Sequence, residues 1–267
     1  MNSFNSRQAR SGYYLSDRPI GPGVFSSQTK RTQPPEPPTA IAKTRRGMLA
    51  LGLPERVTDE LLDHHSELTY AKGSIIFHQG TPAELLFWVY RGFVDMTLPT
   101  GNGNLIITRL VGPGEIFGHN DIIDDDGRRV QVFEAQARTN CQLGMVTRER
   151  VMQLLSTCDK QDLLNLMANL NTLSSQYIRQ SIEFVGMNYR ERLETVLKDL
   201  AERFGIPDAD GVTLIPEFAQ EDFTKLIGCS RPMVNRMLAE MSLQGVISHS
   251  GKRYTLLNSG KKQSQAS

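Results

Sequence analysis

The period of apolar and polar positions changes three times along the chain. Residues 1–46 carry little apolar periodicity and are rich in Ser, Arg, Gln and Pro, with Pro34, Pro35, Pro37 and Pro38 close together. Such a composition cannot bury enough apolar surface to offset ordering, so it predicts a disordered basic arm. From Met48 to Leu62 the apolar spacing and Asp/Glu content predict one or two short helices. The pattern then becomes a series of short β-rich runs: Ser74–Phe77, Leu85–Tyr90, Gly92–Leu98, Leu105–Leu110, Val130–Ala137 and Cys141–Val146. Turn-forming pieces separate them, among them Lys72-Gly73, Gln79-Gly80, Thr100-Gly101-Asn102-Gly103 and Gly112-Pro113-Gly114. Many short strands punctuated by glycine predict a sandwich, barrel or jelly roll.

Residues 161–187 switch to a helical period. Leu163, Leu166, Leu170, Leu173, Tyr177 and Phe184 fall at steps of 3, 4, 3, 4 and 7. That spacing is a coiled-coil seam about 40 Å long at ~1.5 Å per residue, and a seam needs a partner. Self-association as a parallel dimer is the expectation, and packing against the chain's own β domain is the alternative. Leu164, Met167, Ile178, Ile182 and Val185 make a second apolar face, so one face can serve the dimer and the other the β domain. A helix from about Arg190 to Phe204 follows, then Gly205-Ile206-Pro207 and a short strand at Val212–Ile215. Two further helices, Gln220–Ile227 and Ser230–Gln244, flank Gly228-Cys229, and a hairpin pairs Val246–His249 with Arg253–Leu257. The predicted class is α+β, with a basic arm over 1–46, a β-roll over 47–160, a dimerisation helix over 161–187 and a winged helical domain over 188–260.

Composition narrows the function classes. In 267 residues no apolar run approaches the roughly 18 needed to span a bilayer, so no membrane partner is expected. The three cysteines, Cys141, Cys158 and Cys229, form no CxxC pair, which argues against an iron–sulfur centre or a structural zinc site. No apolar leader precedes them, and a cytoplasmic location, with no metal and no cofactor, is the reading. The net charge of +1 hides segregation: residues 1–46 carry +6, 47–187 carry −6 and 188–267 carry +1. Between Lys225 and Arg253 five basic residues face only Glu240, a local excess of +4. A basic stretch inside a helical hairpin points to double-stranded DNA.

The segment GCSRPMVNRML at 228–238, preceded by FTKLI and followed by AEMSLQGVI, carries that chemistry. A short helix, a tight Gly-containing turn and a second helix whose Val234, Leu238 and Met241 face the first make a helix-turn-helix. Ser230 is the expected N-cap, and Pro232 sits in the first turn, where a missing N–H costs nothing. Arg231, Asn235 and Arg236 project from the early turns, where Arg pairs bidentately with guanine and Asn with adenine. Gln220, Ser230 and Met233 complete the expected reading face, and Lys252 and Arg253 on the hairpin suit phosphates.

Residues from about 68 to 257 resemble the Crp–Fnr superfamily of bacterial transcription regulators. The resemblance rests on the glycine-punctuated β-roll, the long helix, and the run GCSR-x-x-V-x-R followed by GVISHSGKRYTL. It implies a homodimer that binds a two-fold symmetric operator and works with RNA polymerase. It also implies that Arg231 and Arg236 contact a half-site. Where the family has an acidic base-reading residue between them, this chain has Pro232, so a familiar half-site sequence is not implied.

Cyclic-nucleotide members of the family bind ligand through an F-G-E-[apolar]-…-R-[S/T]-A cassette. Phe117, Gly118 and Arg129 match it, whereas His119 replaces the ribose-binding Glu and Val130 the phosphate donor. Tyr177 and Ile178 stand where cyclic-AMP sensors carry a Thr-Ser pair, and Asp124, Asp125 and Asp126 bring negative charge toward an anion. A site stripped of its polar partners does not keep its selectivity. The expected effector residues are Phe117, Gly118, His119, Arg129, Val130 and Tyr177, in a degenerate cassette that does not respond to cyclic AMP and leaves another small ligand or nucleotide, or a competent fold with no ligand, as the alternatives. Haem would have to draw on His64, His65, His78 or His119, each of which reads as an ordinary surface or packing histidine. A regulatory module controlling a partner enzyme or channel is the competing class, and it predicts no winged helix-turn-helix. No Ser-His-Asp, paired-carboxylate or P-loop constellation supports an enzyme.

Overall fold

The computed structural model describes residues 39–101, 103–119, 121–123 and 126–258. The arm expected over 1–46 lies outside the described residues as far as 38. Its remainder is not an arm, because helix α1 (Ala40–Ala50) begins there. The Thr39 hydroxyl accepts from the Ala42 N–H at 3.3 Å, capping the first turn. Ala40, Thr44 and Met48 then lie one turn apart on one face; Thr44 and Met48 are buried, and Ala40 and Met48 join a cluster containing Trp88 and Ile116. Arg45, on the outer face, bonds Asp59 of α2 (Glu55–Asp63) at 2.8 Å.

Ten strands follow: β1 (Ser66–Tyr70), β2 (Ile75–Phe77), β3 (Leu85–Arg91), β4 (Val94–Pro99), β5 (Leu105–Val111), β6 (Ile116–Phe117), β7 (Asp121–Ile123), β8 (Arg129–Gln131), β9 (Glu134–Ala137) and β10 (Cys141–Thr147). One antiparallel sheet has the order β1-β10-β3-β6, a second β2-β9-β4-β5, and β7 pairs with β8 alone. The single strand expected over Val130–Ala137 is two strands in different sheets, separated at Val132 and Phe133. Successive side chains of β3 point to opposite faces, and both faces are covered. Phe87 and Val89 meet Met96, Phe117 and Ala135 between the sheets, while Trp88 and Tyr90 pack with α1, α2 and the following α3 (Arg148–Leu155). That double coverage explains the unbroken apolar run from Leu85 to Tyr90.

Helix α4 (Lys160–Gly186) runs 27 residues, and none of them is buried. Leu163, Leu166, Leu173 and Phe184, from the expected seam, are half-buried; Leu166 packs against the α1–α3 cluster and Phe184 against the C-terminal core. Leu170 and Tyr177 of that seam are exposed. The second face, Leu164, Met167, Ile178, Ile182 and Val185, stands open, with Val185 73% exposed. Leu166 and Phe184 of the expected seam are thus turned toward the cores that flank the helix, while Leu170 and Tyr177 at its middle and the whole of the second face stand open.

α5 (Tyr189–Phe204) starts with Asn188 and Glu191 capping each other's backbone. Its Arg192 donates to the carbonyls of Phe184, Val185 and Met187, tying the start of α5 to the end of α4. β11 (Ile206–Pro207), β12 (Gly211–Thr213), α6 (Gln220–Ile227), α7 (Arg231–Leu243), β13 (Ile247–Ser250) and β14 (Arg253–Leu257) complete the chain, with sheet order β11-β12-β14-β13. Among the described residues no helix is long and apolar enough to cross a membrane.

Candidate nucleic-acid interface

α6 and α7 meet because each has one apolar stripe. Phe223 and Ile227 of α6 and Val234, Met237, Leu238 and Met241 of α7 are buried together. Leu193, Leu197 and Leu200 of α5, Phe218, and Ile247 and Tyr254 of the hairpin close the same core. The turn depends on Gly228, whose φ of +69° is left-handed; its N–H donates to the Thr224 carbonyl at 2.9 Å, ending α6. Ser230 occupies the N-cap position with an extended backbone, but its hydroxyl makes no capping bond, contrary to the expectation. The α7 start rests instead on the Ser230 carbonyl, which accepts from Val234 at 3.1 Å, and on Pro232 in the first turn.

The expected reading residues do not all face outward. Gln220, Ser230, Asn235, Lys252 and Arg253 are exposed, and the side chains of Arg231 and Arg236 are 67% and 69% exposed. Met233 is half-buried and packs against the core. Arg231 is engaged by Glu221 of α6, and Lys225 lies 3.2 Å from the same carboxylate. The Lys225 hydrogen bond and the two cations hold the Glu221 carboxyl below the ordinary glutamate range. Arg236 lies 3.9 Å from Glu240, which also pairs with Arg190 at 3.6 Å. At the hairpin tip the Lys252 carbonyl accepts from the Phe218 N–H at 2.9 Å, fixing Lys252 and Arg253 beside α6.

The reading unit is docked on the β-roll. Phe93 and Leu110 of the roll belong to the same core as α5, α6 and α7, and Phe93 meets Phe204 edge to face at 5.2 Å. Gly112 admits the Phe204 ring where any Cβ would collide with it. Arg203 donates to the Leu110 carbonyl and to Glu115, whose carboxylate also accepts from the Gly112 N–H at 2.9 Å. Burial opposes the Arg203 charge, yet Glu115 and Asp199 outweigh it and raise its pKa. Arg138, in the β9–β10 turn, pairs with Asp95 of β4 at 2.8 Å and with Asp222 of α6 at 3.0 Å. The pattern along the sequence singled out none of Glu221, Asp222, Arg138, Arg203 and Glu115. The one available signal was Asp222 three residues after Ala219, the position from which a carboxylate reaches back to the N-cap N–H; it does so at 2.6 Å.

The expected effector residues lie on β6 and the turn after it, on β8 and on α4. Phe117 is buried, stacked on Phe87 at 5.1 Å, and Gly118 has a φ of +86° with no room for a Cβ against the Leu85 carbonyl. Val130 is buried in β8 opposite Ile122, Arg129 is exposed on the same strand, His119 is half-buried, and Tyr177 stands exposed on α4. Two shallow surface hollows, lined by Thr69, Arg91 and Asn140 and by His64, Met145 and Arg150, contain none of these residues. His78 contacts Glu134 at 2.7 Å and His65 contacts Tyr90 at 3.0 Å. Among the described residues no group of three His, Cys, Asp or Glu side chains could hold a metal ion.

Residues 67–158 match the cyclic nucleotide-binding domain family and residues 191–261 the Crp-like helix-turn-helix domain family. The chain is 25% identical to the CRP-like protein Clp of Xanthomonas euvesicatoria over 225 residues, 82% of this chain and 96% of that protein. Among solved structures it is similar to the regulator CLP of Xanthomonas campestris, described as c-di-GMP responsive (TM-score 0.60, 22% identity, 77% of this chain and 100% of that one). It is also similar to FixK2 of Bradyrhizobium japonicum (TM-score 0.60, 21% identity, 73% of this chain and 93% of that one). A β-roll, a long helix and a winged helix-turn-helix in this order, with both halves matched by sequence, place the chain: it belongs to the Crp–Fnr family of DNA-binding transcription regulators.

Proposed function

We propose that two copies pair along the open face of α4 and present two α7 helices to the half-sites of a two-fold symmetric operator. The supporting observation is the exposure of Arg231, Asn235 and Arg236 on the first two turns of α7, beside the hairpin residues Lys252 and Arg253. Arg231, Asn235 and Arg236 read base edges in the major groove, whereas Lys252, Arg253 and Gln220 hold backbone phosphates. Met233 supports the first turn from beneath rather than reading a base. Acting in the cytoplasm, the dimer takes RNA polymerase as its protein partner.

The cassette is degenerate: Phe117 and Val130 serve the core, and no hydroxyl stands at 130 to meet a phosphate. DNA binding therefore needs no cyclic AMP. Selection of bound duplexes from a random library by the purified full chain tests the reading, run without nucleotide, with cyclic AMP and with c-di-GMP. An inverted repeat enriched equally in all three is the expected result. Enrichment of no sequence overturns specific recognition, and enrichment only with a nucleotide overturns the ligand-independent reading.

A further inference from the structure

The charge cluster at Arg138 is costly and joins two domains that share an apolar core without it. Arg138 is 8% exposed and Asp95 12%. Removing such ions from water costs several kcal/mol each, and apolar residues of similar volume often hold an interface as well. What the cluster adds is direction. A guanidinium fork fixes the angle of each carboxylate it grips, and Arg138 also lies 5.1 Å from the centre of the Phe218 ring, just before α6. The carboxylate gripped on the far side is Asp222, the same one that caps the start of α6 through Ala219. The first helix of the reading unit is thus seated by a roll residue at its N-terminal turn. Occlusion is not the purpose, since Arg231 and Arg236 stay exposed in the docked arrangement.

We propose that Arg138 is a positioning residue for DNA recognition: acting through Asp222, it sets the orientation of α6 and α7 on the β-roll, and with it the separation of the two reading helices in a dimer. The inference rests on the two-fold reading above. Half-site spacing is a geometric property of how the reading helices are held. A rigidly seated pair accepts one spacing, and a loosely tethered pair accepts several with lower affinity for each, because the ordering cost then falls on binding.

Affinities of the full-length protein and its Arg138→Gln variant are measured on duplexes whose half-sites are moved by one or two base pairs, and on a single half-site. The wild type should lose roughly tenfold or more off its best spacing. Arg138→Gln should lose at least about fivefold at that spacing, give a flattened profile, and bind the single half-site within about twofold of wild type. That last result also shows the variant's reading unit to be folded. Should Arg138→Gln not fold, Arg138→Lys carries the same comparison, because it keeps the charge without the fork. A wild-type spacing preference retained unchanged by the variant overturns the role of Arg138 alone. A wild type indifferent to spacing overturns the two-fold reading and this inference with it.

Discussion

Glu221 of α6 and Arg231 of α7 form an ion pair across the helix-turn-helix, with Lys225 on the same carboxylate. The acidic group thus sits on the surface proposed to meet DNA, held between one cation from each helix. Repulsion from phosphates makes a carboxylate there unfavourable unless it orients its neighbour. Arg231 is at the first residue of α7 with 67% of its side chain exposed, so its rotamer is otherwise unconstrained.

Glu221→Gln should bind all duplexes a few-fold more tightly, with a steeper salt dependence, because a negative charge leaves the phosphate-facing surface. It should also relax preference at the base that Arg231 reads. Arg231→Ala should lose about 1–3 kcal/mol on the preferred site and relax the same position. Titrations of preferred and substituted duplexes at several salt concentrations check both; equal preference in Glu221→Gln and wild type would leave Glu221 without an orienting role.

The α4 surface gives a second expectation. Ile182, 68% exposed on the uncovered face, becomes buried if that face is the dimer seam, so Ile182→Glu should split the dimer by burying a carboxylate against an apolar partner. Leu166→Ala removes a half-buried contact with the α1–α3 cluster and should cost about 1–3 kcal/mol of stability, less than a fully buried leucine, while leaving the dimer intact. Sedimentation and denaturant unfolding separate the two; a dimeric Ile182→Glu would move the interface elsewhere.

Fold class, the order of the elements and the two helices of the helix-turn-helix were legible because each rests on local pattern: short β-rich runs between glycines, period-3.6 stripes, and a Gly-Cys-Ser break between two amphipathic segments. Helix α6 and strand β14 fall on their expected residues, Gln220–Ile227 and Arg253–Leu257. α1 was hidden because Lys43, Arg45 and Arg46 dominate its composition while its buried side rests on Thr44 and Met48. The side of α4 that faces its own chain was not legible, since two apolar stripes on one helix carry no mark of which core each will meet. The docking residues escaped for a further reason: Arg138 and Asp222 lie 84 residues apart, and a pairing made by the packing of two domains leaves no periodicity.

The Arg45–Asp59 pair that joins α1 to α2 predicts an acid-sensitive N-terminal helix. The hydrogen bond from Arg45 lowers the Asp59 carboxyl below its ordinary value. A carboxylate depressed in the folded state stabilises above its unfolded pKa, and the contribution disappears as pH falls through the folded one. Both side chains are exposed, so the effect is modest and weakens with salt. Amide exchange in α1 should accelerate at neutral pH in Asp59→Asn relative to wild type, and the two should converge in acid below the folded pKa of Asp59. Equal protection at neutral pH would show that the buried side of the helix and its cap hold it without the ion pair.

Cyclic AMP should bind weakly or not at all and leave DNA affinity unchanged. The cyclic phosphate needs a hydroxyl donor and an arginine, but position 130 is a buried valine on β8, and only Arg129 of the pair remains. By the family resemblance, His119 stands where the ribose partner would be and Tyr177 and Ile178, both exposed on α4, where the adenine-facing pair would be. A ligand shifts a conformational equilibrium only by its difference in affinity between the two states, so one that loses its contacts in both loses its leverage. The Arg138 and Arg203 contacts, moreover, already seat the reading unit with its basic face exposed. Calorimetry with cyclic AMP, beside DNA titrations with and without it, decides the question. Micromolar binding together with a gain of about tenfold in DNA affinity, roughly 1.4 kcal/mol of coupling, would restore a cyclic-AMP switch and mean that the β7–β8 segment rearranges around the nucleotide.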